Sequence, residues 1–394
     1  MEQPLAGMRV IEVGGTLAVA GATKTFSDFG ADVIKVEPRG GAAMRRLPPF
    51  RDDEPGPERG AMHIALDTGK RSLVLDVTTP SGRAVLTRLA ATARLVFVHL
   101  PRAEALAALE AVRCATPRPT AVALAAHGLE GPFAGRVEND MSVFAWSSRM
   151  RTHANPGHEP LRYGPGVPTM QWAATAAAAG VAAAWGHAHD GEPRDVEVAG
   201  VEALLSNVDA WYVIWALNGI ELPRGGGPSK TLYPAGCYEC LDGYVLFASA
   251  GEPFFSRLCT GIGHPGLPSD PRFATPAAKA EHWDDFMQYL GPWLAERTRD
   301  QAFRALQAHG VMLAPVLDIA EAMTTPQAVA RGSFVSASLA DGGTTTIAGP
   351  PFRLADAWAA RAAPRLGEHS TALLDELGYS RTEQIALYRA GVTG

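Results

Sequence analysis

The chain has 394 residues, 47% of them apolar and 19% charged, and its 35 basic and 41 acidic side chains leave a net charge of −6. At roughly 150 residues per domain this is two or three domains, and the composition excludes both a disordered chain and a coiled coil. A mildly acidic whole argues against a nucleic-acid partner, whose binders carry a strong basic surface, and 4 cysteines do not make a disulfide framework.

Met8–Val13 (MRVIEV) reads as a buried strand, Leu17–Phe29 as a helix ended by Gly30, and Asp32–Glu37 (DVIKVE) as a second strand closed by Pro38, Gly40 and Gly41. Ser72–Val77 reads as a third strand. Thr79, with Pro80 behind it, reads as the cap of a helix whose apolar face is Val85, Leu86, Leu89 and Ala93. Leu95–Val98 is a fourth strand, Arg102–Val112 a helix and Ala121–Ala125 a fifth strand. This alternation predicts an α/β fold with a parallel, doubly wound sheet. A short helix over Asp140–Ser148 and a loop over Arg151–Val167 follow. The alanine-rich helix Thr169–His187 suits close packing on another backbone, in this chain or a partner. Asp195–Val198 leads into a helix over Val201–Ile220, and Arg224–Lys230 is a glycine-rich linker. Gly236–Ala248 reads as a hairpin turning at Asp242-Gly243. Helices follow over Pro253–Gly261, Ala278–Arg297 and Thr298–Ala308, then an apolar run near Thr345–Ile347 and a last helix over Ser370–Leu377.

The N-terminus MEQPLAGMRVIEV lacks the pattern of a secretory signal, and the charge-free run Ala173–Gly186 is too short and alanine-rich to span a bilayer. The expectation is a cytoplasmic protein with no membrane partner. Gly14 and Gly15 follow the first strand, but no G-x-G-x-x-G is present, which argues against NAD or FAD. Cys237-x-x-Cys240 lies on a hairpin strand without further zinc ligands, and His187 and His189 lack acidic or cysteine neighbours, so no metal is expected. The basic residues are more suggestive. Arg39, Lys70-Arg71-Ser72 and Arg102 lie at or near strand ends, where open α/β sheets bind ligands, and a phosphate-bearing polyanion suits them.

Several blocks, taken together, resemble class III CoA-transferases (CaiB/BaiF type), the family of formyl-CoA transferase, carnitine CoA-transferase and α-methylacyl-CoA racemase. They are PLAGMRVIEVGG (4–15), FGADVIKVEP (29–38), GKRSLVLDV (69–77), HGLEGPFAGRVEND (127–140), YECLDGYVLFA (238–248), DPRFAT (270–275), APVLD (314–318) and LGEHSTALLDELGYS (366–380). The resemblance implies a Rossmann-like large domain built from both chain ends (1–224 and 330–394) and a small α+β domain (225–329). It implies two interlocked subunits, as a homodimer or a heterodimer with a paralogue. It further implies a CoA thioester and a small carboxylic acid as substrates, with no tightly bound cofactor. By resemblance and strand-end position, CoA would contact Gly15, Thr16, Leu17, Arg39, Lys70, Arg71, Ser72, His99, Leu100, Arg102 and Arg136. The glycine-rich loop over the acyl site would be Gly225-Gly226-Gly227.

In the family an aspartate carboxylate attacks the thioester and forms a mixed anhydride, which CoA thiolate converts to an enzyme-bound thioester. That aspartate opens a helix in a segment like V-P-x-x-D-x-x-x-G. Here the segment is Val167-Pro168-Thr169-Met170-Gln171-Trp172-Ala173-Ala174-Thr175, so the resemblance puts Gln171 at the nucleophile position. An amide cannot form the anhydride. The racemase branch has a histidine before an aspartate where this chain has Asn139-Asp140, and a glutamate matched by Glu252 in Glu252-Pro253-Phe254-Phe255. Asp140 and Glu252 are therefore the candidate carboxylates for a transferase or an altered acyl-CoA reaction. The alternative is a non-catalytic subunit beside a catalytic paralogue.

Overall fold

Both faces of the central strands are apolar, and that decides the architecture. In a computed structural model of the chain, β1 (Arg9–Val13), β2 (Asp32–Glu37), β3 (Arg71–Val74), β4 (Leu95–Val98), β5 (Thr120–Ala125) and β6 (Val196–Ala199) form one sheet in the order β3-β2-β1-β4-β5-β6. All five pairings are parallel. The structure describes residues 3–153, 157–206, 211–221, 228–230, 234–248, 251–354 and 361–394.

Alternate residues of each strand feed opposite cores, as a sheet covered on both sides requires. Ile11, Val13, Ile34, Val36, Val96 and Val98 pack under α3 (Pro80–Ala90), α4 (Arg102–Arg113) and α16 (Ser370–Glu376). Val10, Val33, Leu95, Phe97, Val122 and Leu124 pack under α1 (Leu17–Asp28), the long α7 (Val167–Asp190) and α8 (Gly200–Ser206). Ala173, Ala176, Ala177 and Ala184 of α7 are buried in this second core, so the helix spends its small-residue face within its own chain. A Cβ at Gly180 would lie 2.6 Å from the Phe97 ring, which requires glycine there. Thr79 caps α3 by accepting from Gly82 N, with Pro80 in the first turn, as its sequence signals.

The chain divides into two units. One holds residues 1–150, 162–221 and 326–394, and includes the sheet, α2 (Ala61–Leu66), α5 (Asp140–Trp146), α9 (Trp211–Asn218), α15 (Pro326–Arg331), α17 (Arg381–Arg389) and the antiparallel pair β10 (Phe334–Ser338) and β11 (Thr344–Ala348). The one-turn α6 (Arg149–Thr152) straddles the boundary. The chain end returns to the sheet: Asp76 N donates to Val392 O, and Leu75 bridges Thr393. The other unit holds residues 151–161 and 222–325. Its sheet, β7 (Gly236–Cys240), β8 (Gly243–Phe247) and β9 (Leu313–Pro315), is antiparallel and shares a core with α10 (Phe254–Gly261), α12 (Trp283–Ala295) and α13 (Arg299–Gln307). The short helices α11 (Pro276–Glu281) and α14 (Ile319–Thr324) complete it.

Of the segments read as single helices over 201–220 and 278–297, the second differs in the structure. The first comprises α8 and α9, with residues 207–210 outside the described set. The second is α11 and α12, broken at His282 (φ −101°, ψ 28°). Among the described residues, no helix is long and apolar enough to cross a membrane, and no group of three potential metal ligands occurs.

Candidate functional site

The strand order reverses between β1 and β4, and a crevice opens outside the carboxyl ends of the strands at such a point. A cavity of about 560 Å³ lies there, lined by the segments that leave β1, β4 and β5 and by residues 135–140. The two strand exits nearly touch. Gly14 has φ +116°, and a Cβ on it would fall 2.0 Å from His99 O. The glycine therefore serves backbone contact here, not a dinucleotide fingerprint.

Of the residues singled out from sequence, Thr16, Leu17, His99, Leu100, Arg102, Arg136 and Asp140 line this cavity together. Thr16 caps α1, and the first-turn amides of Leu17 and Ala18, which a helix cannot satisfy itself, belong to residues of the same lining. Thr16 Oγ1 lies 2.6 Å from His99 Nδ1, and the imidazole meets the Trp172 ring edge-on at 4.9 Å. Burial alone pushes the His99 pKa down to about 4, so the ring is neutral at physiological pH.

The cations divide sharply. Arg102 donates from Nε to Leu129 O, and Arg136 stacks over Phe133 at 3.9 Å. Neither has a carboxylate within 4.0 Å among the described residues; nor does exposed Arg39, whose guanidinium lies over Tyr388. Lys70, Arg71 and Ser72 do not line this cavity. β3 begins at Arg71, so they sit at the opposite end of the strand from its carboxyl-terminal edge, and they are engaged elsewhere. Lys70 is fully buried, its Nζ 2.7 Å from Glu12 and 3.0 Å from Asp67. Arg71 pairs with Glu376 and Asp32, and buried Ser72 donates to Glu37.

Lys70 belongs to a buried charge network beneath α1 and α2. Lys35 bonds Asp67, whose pKa lies well below the usual carboxylate range: burial opposes this, and Lys35 and Lys70 overcome it. Arg45 grips Glu37 with two bonds, of 2.7 and 2.8 Å, and reaches Glu58 at 2.7 Å. His63 lies 2.7 Å from Asp67. Burial pulls its pKa down, but the bonds with Asp67 and Glu58 outweigh it and hold the value above normal. This network is structural, and it fixes the loop that leaves β2 by taking Ala42 N onto Glu37.

Asn139 and Asp140 each close a helix. The Asn139 side chain caps α5 in a capping box with Ser142. The Asp140 carboxylate caps α7, accepting from Thr169 N (2.9 Å), Thr169 Oγ1 (2.6 Å) and Gly166 N (3.1 Å). That service is needed because the cap position of α7 is Gly166, which has no side chain to offer. Gln171 stands one residue beyond the first turn of α7 and does not line the cavity. Its Oε1 is buried and accepts no hydrogen bond from any described residue. Glu252 is exposed in the other unit, accepting from Ser256 at 2.7 Å. Gly225–Gly227 lie outside the described residues.

Sequence reasoning missed one pair in the cavity wall: His127 Nε2 lies 2.9 Å from Glu138 Oε1, and each side chain is only 8% exposed. Eleven residues apart in irregular structure, they show no periodic signal that would join them.

The sequence profile of CoA-transferase family III matches residues 5–370. The chain belongs to that family. The succinate–glutarate CoA-transferase of Agrobacterium fabrum is 30% identical, with 95% of this chain and 96% of that protein covered. Subunit BbsE of the succinyl-CoA:(R)-benzylsuccinate CoA-transferase of Thauera aromatica is 29% identical, with 99% of this chain and 98% of that one covered. The crystal structure of a CaiB/BaiF family protein from Brucella suis superposes with a TM-score of 0.83 at 26% identity, over 96% of this chain and 100% of that one. The six-stranded parallel sheet is thus the family's α/β fold, and the family is one of enzymes acting on CoA thioesters.

Proposed function

We propose that this family III chain binds CoA and acyl-CoA in the cavity at the carboxyl ends of β1, β4 and β5, and that it takes part in transferring CoA between carboxylic acids. The observation that carries the reading is the sorting of its cations. Arg102 and Arg136 have no carboxylate partner among the described residues and line the cavity beside the first turn of α1, whereas Lys70 and Arg71 are consumed by ion pairs. Unpaired guanidinium groups and helix-start amides are the donors that phosphates need. The names of the relatives favour succinyl-CoA as the first donor to test.

Gln171 stands, in this reading, where the family places its nucleophile. The amide can donate to a thioester carbonyl but cannot attack it. A second reading has a specific support: the chain is the binding subunit of a heteromeric transferase whose partner supplies the carboxylate. The Asp140 carboxylate already holds three donors at α7, and one relative is itself named as a subunit. The two readings separate on co-purification. A chain that turns over succinyl-CoA with an acceptor acid when purified alone follows the first. A chain that does so only with a paralogue carrying aspartate at the matching position follows the second. Failure to bind CoA by calorimetry refutes both.

A further inference from the structure

The cavity wall carries six titratable side chains: His99, Arg102, His127, Arg136, Glu138 and Asp140. Two arginines against two carboxylates leave it with no net charge when both histidines are neutral. That balance is poor for a ligand bearing several phosphates, so an added positive charge matters. His99 cannot supply it near neutrality, because burial keeps that ring deprotonated. His127 is the other histidine of the wall, and it stands against a carboxylate.

His127 is held between a carboxylate and two aromatic rings. Its Nε2 faces Glu138 at 2.9 Å. The Glu138 pKa is lowered, chiefly by the Ser142 hydroxyl and further by His127 and the Trp146 indole, so the carboxylate stays ionised throughout that range. An ionised Glu138 keeps the proton on Nε2, and Nδ1 is the nitrogen left to gain one. The rings of Phe133 and Trp146 lie edge-on to the imidazole at 5.5 and 5.3 Å, and the same two rings carry Arg136. The charged groups around it are Glu138 and Arg136 in the following segment, Arg102 on α4 and Asp140 on α5. Glu197 on β6 lies beyond Gly128, where a Cβ would come within 2.7 Å of its carboxylate.

We propose that His127, with Glu138 as its counter-charge, is a proton-linked anion site: the imidazole takes up one proton when a phosphate-bearing ligand enters the cavity. Protonation converts the His127–Glu138 pair from an unbalanced negative charge at the wall into a neutral pair. It also turns Nδ1 into a donor, and the incoming phosphate favours that charged form. The one bond formed is Nδ1–H; its proton comes from solvent and returns to it on release. The inference rests on the reading that CoA occupies this cavity.

The test is isothermal calorimetry of CoA into the full chain at pH 7.5, in buffers of low and high ionisation enthalpy such as PIPES and Tris. The slope of apparent enthalpy against buffer enthalpy gives the protons taken up. The phosphate monoester of CoA titrates in the same range, so the deciding quantity is the difference between the wild type and His127→Gln. We expect net uptake by the wild type to exceed that of the variant by a substantial fraction of one proton. Between pH 8 and pH 6 the wild type should gain about tenfold more affinity than the variant. Glu138→Gln, which removes the counter-charge, should bind CoA more tightly at pH 8 and show less uptake. CoA binding with equal uptake in wild type and both variants overturns the proton linkage and leaves the CoA site standing. Absence of CoA binding by the wild type overturns the site itself.

Discussion

Asp140→Ala should destabilise the chain from the first turn of α7. The carboxylate accepts two backbone N–H groups and one hydroxyl, and Gly166 and Pro168 leave that turn no side-chain cap of its own. Loss of a helix cap costs about 0.5–2 kcal/mol, and loss of a hydrogen bond to a charged group about 1.5–3. These overlap, because one group serves both, and the first turn remains partly open to water. The expected total is about 2–4 kcal/mol. Asp140→Asn keeps one acceptor for Thr169 but loses the charge and turns a donor toward Gly166 N, for about 1–2 kcal/mol. Urea unfolding followed by circular dichroism measures both, and a cycle with Thr169→Ala should show the two sites coupled. A loss below about 0.5 kcal/mol in Asp140→Ala would refute the capping role and return Asp140 to the list of free carboxylates.

Arg102→Ala with Arg136→Ala should weaken CoA binding by at least tenfold and flatten its salt dependence, measured by calorimetry at two ionic strengths. Lys70→Ala should instead lower stability by about 3–5 kcal/mol, because it leaves Glu12 and Asp67 with an uncompensated buried charge. His63 binds its proton more tightly folded than unfolded. Its contribution is therefore complete below about pH 6.5 and is lost as pH rises through the elevated folded value. The stability gap between wild type and His63→Gln should shrink across that alkaline window in urea titrations, and a gap that widened would contradict the sign.

The strands that pair along their whole length were legible from their apolar runs: β2 and β4 lie where DVIKVE and LVFV put them. β3 lies where the third run put it, but its end was not legible, because SLVLDV stays apolar beyond Val74, where Leu75 instead bridges Thr393 of the returning C-terminal segment, which no local pattern announces. β10 and β11 were nearly invisible, each burying one side chain, Ala337 and Ile347, among polar neighbours. α2 falls directly after a charged stretch that reads as loop. At the site, sequence identified residues at the exits of β1 and β4, because strand ends locate a crevice. It could not tell a free cation from a buried one. Lys70 looks like a phosphate ligand until Glu12, 58 residues away, is seen against it. Nor could it see that Asp140 serves a glycine cap 26 residues on.

The central claim is that this chain presents a CoA-thioester site with an amide at the nucleophile position. Intact-mass spectrometry of the wild type and Gln171→Asp, each incubated with succinyl-CoA, tests it most directly. The account predicts no covalent adduct on the wild type and an acyl or CoA adduct on the variant, located at residue 171. An adduct on the wild type that persists through denaturation would contradict it.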